Sequence, residues 1–140
     1  MIDFSTPLGR RAEQHLHDDP VVWLTTVGAD GTPQPAPVWF WWDGSTLLIY
    51  SQPRAKRLRH IEKNPKVALH FVTDREADEV IVLTGLARLD PATPPADQVE
   101  AYITKYSAGV ARLGWTNSGF AADFSVPFRV TPDHLRGDLG

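Results

Sequence analysis

Three β-rich segments follow one another in the first third of the chain, joined by glycine–aspartate turns too short to hold a helix. Val21–Val27, Gln34–Trp42 and Thr46–Ser51 are dense in β-branched and aromatic residues, as strands are. Gly28-Ala29-Asp30-Gly31 and Asp43-Gly44 separate them with hairpin chemistry. Such a succession folds as an antiparallel meander, because a parallel pair needs a crossover of a dozen or more residues. Val67–Thr73 and Glu79–Leu89 read as two further strands across an acidic exposed connection, with Gly85 as a bulge, and Ser125–Thr131 as a sixth.

Short helices fill the intervals. Thr6-Pro7 is an N-cap followed by proline at the first helical position, and Leu8, Ala12 and Leu16 give that helix one apolar stripe until Asp18-Asp19-Pro20 ends it. Pro53–Asn64 reads as a second helix with Leu58 and Ile61 inward. A third runs from Ala96 to Tyr106, with Ala108–Leu113 continuing beyond a break, and Thr116–Gly119 reads as a loop. The expected architecture is mainly β with short helices, a six-stranded antiparallel barrel in one domain over residues 1–140.

Several strands are apolar on both faces. Trp39 and Trp41 oppose Phe40 and Trp42, and Leu47 and Ile49 oppose Leu48 and Tyr50. One face fills a barrel interior, and the other needs a helix or a second subunit over it. Four aromatics in so short a run call for more cover than a small monomer gives, so a homodimer is expected. Prolines at 35 and 37 remove ladder donors and place that strand at an edge or an opening. Backbone groups left free there can bond the polar edge of a planar heterocycle, with Trp and Phe covering its face. The competing reading makes the same rings core and interface.

What is missing narrows the chemistry. The chain has no cysteine, so disulfides, thiolate metal sites and cysteine nucleophiles are excluded. The five histidines fall in no metal-ligand spacing: His15 and His17 sit two apart on a surface helix and face different ways, and no HExxH occurs. There is no GxSxG elbow, GxGxxG loop or Walker loop. No basic leader with an apolar stretch opens the sequence, and no apolar run approaches the ~20 residues of a membrane span. A reducing cytoplasm and no membrane association are expected.

The net charge of −3 is unevenly spread. Arg54, Lys56, Arg57, Arg59, Lys63 and Lys66 face only Glu62 within their segment, a local +5 that leaves −8 elsewhere. That acidic remainder repels a nucleic-acid backbone. Ser51-Gln52-Pro53-Arg54-Ala55-Lys56-Arg57 joins a strand end to a helix start, where free N–H groups and the helix dipole favour an anion. Cations in a first helical turn are electrostatically misplaced unless something compensates. A phosphate does so, gripped by Arg54 and Arg57, with Lys56 as a point charge and the Ser51 hydroxyl as a donor. A solvated basic helix face accounts for the same spacing, and the residues alone leave both readings open.

Val22-Trp23-Leu24-Thr25-Thr26-Val27-Gly28-Ala29-Asp30-Gly31-Thr32-Pro33-Gln34, then Pro37–Gly44, Leu48–Ser51 and Arg54–Val67, together resemble the pyridoxamine-phosphate-oxidase-like superfamily of flavin-type split β-barrels. The likeness is strongest from Val21 to Gly85 and is closest to an actinobacterial branch of deazaflavin enzymes that use coenzyme F(420). It implies a dimer with cofactors in clefts at the interface and no nucleic-acid or membrane partner. The ring would lie along the strand from Val38 to Trp41, which includes Trp39 and Phe40, and the phosphate would sit on Ser51, Arg54, Lys56 and Arg57. Pro37, Tyr50 and Gln52 complete the implied cofactor-binding set. The implied reaction is hydride transfer to an electron-poor small molecule, which requires no side-chain nucleophile. Tyr50, Tyr106 and Trp115–Asn117 are candidate substrate-side donors. FMN is the alternative cofactor, and a non-catalytic flavin- or haem-binding module is the alternative role.

Overall fold

The computed structural model describes residues 1–140. In chain order it contains α1 (Pro7–Asp18), β1 (Val22–Val27), β2 (Pro33–Val38), β3 (Trp41–Trp42), β4 (Leu47–Ser51), α2 (Lys56–Lys63), β5 (Lys66–His70), β6 (Val80–Leu89), a 3-10 turn (Ala96–Gln98), α3 (Glu100–Arg112), α4 (Asn117–Asp123) and β7 (Val126–Asp138). The strands form one antiparallel sheet in the order β2-β1-β5-β6-β7-β4-β3. Its two edges, β2 and β3, are separated in the chain by only Trp39 and Phe40, a gap that roughly 11 Å of backbone spans. The sheet therefore curls into a half-barrel. No helix is long and apolar enough to cross a membrane.

Seven strands replace the expected six, because the segment Gln34–Trp42 is broken at Phe40. The Phe40 N–H donates to the Tyr106 hydroxyl at 2.8 Å. The Tyr106 proton is shared between the carbonyls of Pro20 at 2.7 Å and Phe40 at 2.8 Å. Lys105 Nζ also donates to the Phe40 carbonyl at 2.8 Å and lies 3.8 Å from the centre of its ring. Helix α3 thus satisfies the backbone groups that a continuous strand would have placed in the ladder.

Other boundaries move as well. Helix α2 starts at Lys56 rather than Pro53, and α3 is continuous to Arg112. Thr116–Gly119, read as a loop, is the cap and first turn of α4: Thr116 accepts a hydrogen bond from Gly119 N at 3.0 Å. Strand β7 runs on to Asp138 and pairs with β6 from Leu89↔Phe128 to Val80↔Asp138. Its register shifts at Gly85, where an added Cβ would stand 2.2 Å from the Thr131 carbonyl oxygen. The bulge expected at Gly85 is there because only glycine admits that approach.

The inner face packs Leu24, Phe40, Leu47, Ile49, Leu69, Leu83, Phe128 and Val130, with Ala12 and Leu16 of α1 plugging one side. A second apolar cluster lies outside the sheet, where Leu48 and Tyr50 of β4 meet Tyr102, Tyr106 and Val110 of α3, Ala96, and Phe120 of α4. Every residue of β4 is buried for this reason. The argument that the aromatic run needs a second subunit is corrected here. Phe40 and Trp42 point into the half-barrel, and Trp39 and Trp41 pack against the chain's own helices.

β2 is an edge strand, as its prolines require. Gly28 N donates to Thr32 O at 2.9 Å, and alternation along the hairpin then directs Gln34, Ala36 and Val38 toward β1 and turns Pro33, Pro35 and Pro37 outward. The free edge presents carbonyls and no N–H.

Candidate functional site

β4 ends at the buried Ser51, and a tight turn through Gln52 and Pro53 leads into α2. Ala55 N closes that turn on Gln52 O at 3.1 Å. No side chain caps α2, and its first turn holds no acidic residue. Arg57 is partly buried, and its Nη1 donates to Ser51 Oγ at 3.1 Å. Burial alone pushes Arg57 below its ordinary pKa, so its charge sits where a counter-ion is favoured.

Arg57 stands between two hollows. On one side is a cleft of about 360 Å³ walled by Pro37 and Val38 of β2 and the following Trp39, by Tyr50 of β4 and the following Gln52, by Tyr102 of α3 and Phe120 of α4, and by Leu113, Trp115 and Phe124 beside those helices. Its wall is ordered by stacking: Trp39 lies on Tyr106 at 4.5 Å and 5°, and Phe120 on Phe124 at 4.7 Å and 13°. On the other side a groove of about 520 Å³ runs between α2 and the β1–β2 hairpin, lined by Gln34, Pro35, Ala36, Lys56, Arg57 and His60 among others. It continues into a hollow bordered by Lys56, Arg59, His60 and Lys63 that has no acidic lining residue. His60 Nδ1 is held 2.9 Å from the hydroxyl of the buried Thr26. Asp30 borders the groove as an ionised carboxylate, kept below the usual range by the Thr32 backbone N–H. No group of three or more His, Asp or Glu side chains is placed to hold a metal ion.

The half-barrel and the strand-to-helix cradle have counterparts. The family model described as "Pyridoxamine 5'-phosphate oxidase" matches residues 8–136. The chain belongs to the pyridoxamine 5'-phosphate oxidase family. A solved structure named F(420) reductase is 25% identical, with 89% of this chain and 94% of that one aligned at a TM-score of 0.67. General Stress Protein 26 from Bacillus anthracis is 18% identical over 92% of each chain, TM-score 0.68. The haem storage protein HutZ from Vibrio cholerae is 19% identical over 94% of each chain, TM-score 0.64. The last two show the shared fold. No curated protein matches the sequence.

Within this family member, the residues singled out from sequence fall into four groups. Pro37, Val38, Trp39, Tyr50, Gln52 and Arg57 line the aromatic cleft, and Lys56 lines the groove with Arg57. Ser51 is fully buried and reaches the site only through its bond to Arg57, so it positions that guanidinium. Arg54 is exposed in the turn before α2 and borders neither cleft nor groove. Phe40 is corrected: it is 0% exposed inside the half-barrel, where it alternates inward with Val38 and Trp42.

The substrate-side donors are also redrawn. Tyr50 donates to the Pro94 carbonyl at 2.6 Å, and burial pushes its pKa up to about 12. Tyr106 is committed to Phe40 and Pro20. Gln52 Nε2 donates to Asp123. Trp115 does border the cleft, at 39% exposure. Tyr102, Leu113, Phe120 and Phe124 were not foreseen. The Thr116 cap followed by Phe120 and Phe124 at i, i+4 spacing is the sequence signal that finds two of them.

Proposed function

We propose that this protein is an oxidoreductase that binds coenzyme F(420) and transfers a hydride to an electron-poor small organic molecule. The observation that carries the reading is the position of Arg57. An aromatic slot opens on one side of it and a cationic groove on the other. A phosphorylated planar ring has that same polarity, flat and apolar at one end and anionic at the other. The donor set fits such a group: Arg57 offers a forked guanidinium, Lys56 a point charge, and the uncapped start of α2 its dipole. The similarity to a protein named F(420) reductase favours the deazaflavin over FMN.

When bound, the cofactor supplies the hydride chemistry. The chain's residues do the rest. Trp39, Phe120 and Phe124 form a flat apolar wall that excludes water. Arg57 and Lys56 fix the phosphate, and Ser51 fixes Arg57. The cleft lining includes no carboxylate, histidine or serine, so its residues orient and shield rather than attack. We infer further that the protein works as a homodimer, with a partner surface closing the cleft over the exposed rim at Leu113 and Trp115.

Fluorescence titration of the purified protein with F(420), FMN and haem tests the assignment. F(420) binding weakened at least tenfold in Lys56→Ala/Arg57→Ala is the expected result, since hydrogen bonds to charged groups contribute about 1.5–3 kcal/mol each. Tight FMN binding without F(420) affinity replaces the cofactor. Haem binding alone, or cofactor binding without turnover of quinones, enones or nitro compounds, makes the protein a carrier.

A further inference from the structure

The chain has three tyrosines, and all three pack together beside the aromatic cleft. Tyr102 lies at their centre, with its ring 4.9 Å from that of Tyr50 and 5.0 Å from that of Tyr106. The outer two have their hydroxyls committed to the carbonyls of Pro94, and of Pro20 and Phe40. Tyr102 differs. It is 1% exposed, yet its environment is made of burial and its two phenolic neighbours, with no hydrogen bond to any protein group. Buried phenols are nearly always partnered, because desolvating one without a partner is unfavourable.

The oxygen is also not sealed away. Trp42 Nε1 is the side-chain polar atom that is both enclosed and unpartnered, and the Tyr102 hydroxyl does not share that state. The surface that Tyr102 reaches is the cleft, whose lining includes it. The cleft's other polar side chains include the donors of the Arg57 guanidinium and the Trp115 indole, and the Gln52 amide nitrogen is bonded to Asp123, leaving its oxygen as an acceptor. A cleft so furnished suits a ligand rich in acceptors. Burial also holds Tyr102 well above the ordinary phenol range, so the hydroxyl keeps its proton.

We propose that the Tyr102 hydroxyl donates a hydrogen bond to a carbonyl oxygen of the planar ring bound in the aromatic cleft. The inference rests on the reading of that cleft as a ring slot. It assigns a specificity role for an acceptor on the ring edge, remote from the phosphate grip at Lys56 and Arg57.

Tyr102→Phe removes one oxygen and keeps the ring packing. Binding of riboflavin, which has the ring without the phosphate, is compared with binding of FMN and F(420) by ligand fluorescence. The expected result is a Kd raised about 3–15-fold for every ring that the wild type binds, with the same factor for riboflavin as for FMN. Lys56→Ala should weaken FMN and F(420) and leave riboflavin unchanged. The melting temperature of the ligand-free variant should equal or exceed that of the wild type. A cofactor that binds Tyr102→Phe as tightly as wild type overturns the proposal and leaves the functional reading intact. Failure of the wild type to bind any of the three overturns both. A variant that melts several degrees lower or does not fold reveals a protein partner for the hydroxyl and overturns the proposal as well.

Discussion

Arg57 reaches its place between cleft and groove because Ser51, fully buried at the end of β4, accepts one of its donors. Ser51→Ala should therefore weaken a phosphorylated ligand without touching it, by about tenfold or more, since a hydrogen bond to a charged group contributes about 1.5–3 kcal/mol. Riboflavin affinity should stay the same, and isothermal titration of both ligands checks the split. A loss shared by both would make Ser51 a general packing residue. The importance of Arg57 was legible in the sequence, since cations at a strand-to-helix junction break a local rule. The role of Ser51 was not, because spacing cannot say whether a hydroxyl faces a ligand or a neighbour. Phe40 marks the same boundary. On a strand apolar on both faces, alternation separates Trp39 from Phe40 but does not say which faces inward. The outer face is the one that α3 and α4, distant in the chain, cover at Trp39 and Trp41.

Among the elements, α1 is joined to the sheet through an ionic clamp. His15, buried at 7% exposure, sits 2.8 Å from Asp19 and 2.5 Å from Glu79, while Arg11 pairs with Glu79 at 3.0 Å. Burial raises the Glu79 pKa, but the hydrogen bonds from His15 and Arg11 outweigh it, and the carboxyl is held below the ordinary range. A depressed carboxylate contributes stability above its unfolded value, near ~4.3, and loses it as the pH falls through the folded value. Urea unfolding from pH 6 down to pH 3 should show that loss, and Glu79→Gln should flatten it. An unchanged slope in the variant would place the acid sensitivity elsewhere. Sequence placed His15 on a surface helix; its burial depends on Phe71 and Glu79, to which nothing in its own helix points.

The free edge of β2 invites a second test. With Pro33, Pro35 and Pro37 turned outward, an incoming strand finds acceptors and no donors, which guards against edge-to-edge pairing. Replacing all three by threonine restores outward N–H groups, and dynamic light scattering should then show concentration-dependent higher oligomers. If the variant keeps the size of the wild type, the prolines serve the cleft wall rather than the edge. Here the sequence was informative, because prolines at alternate positions carry their meaning without tertiary context. α4 was less legible: three small polar residues at its start resemble a turn until Phe120 finds Trp39 to stack on and Phe124 stacks on Phe120.

For the whole molecule, the architecture was readable because the hairpins are local and the resemblance covered most of the chain. The oligomeric state was argued from the aromatic run, and that argument falls, since α3 and α4 supply the cover. The case for a dimer now rests on the family and on the exposed cleft rim. Light scattering at micromolar concentration should give twice the 15.6 kDa chain mass. A monomer there would leave the cleft closed by nothing but its own helices, and Trp115→Ala, which trims the rim, would then leave the measured mass unaltered.

β7 lies between β6 and β4, and β4 carries β3 at the far edge. Tyr50 of the aromatic cleft hangs from that last pair of strands, yet their only anchor to the rest of the sheet is the strand made after α4. On a ribosome, the meander β1–β2 and the pair β5–β6 can therefore assemble while synthesis continues, whereas β3 and β4 must wait as an unpaired hairpin. The aromatic cleft is the last part of the nascent protein to come into being. A stalled or clipped chain lacking residues 126–138 would leave Trp42, Leu47 and Ile49 without Phe128 and Val130 to pack on, and a quality-control chaperone would meet those side chains first.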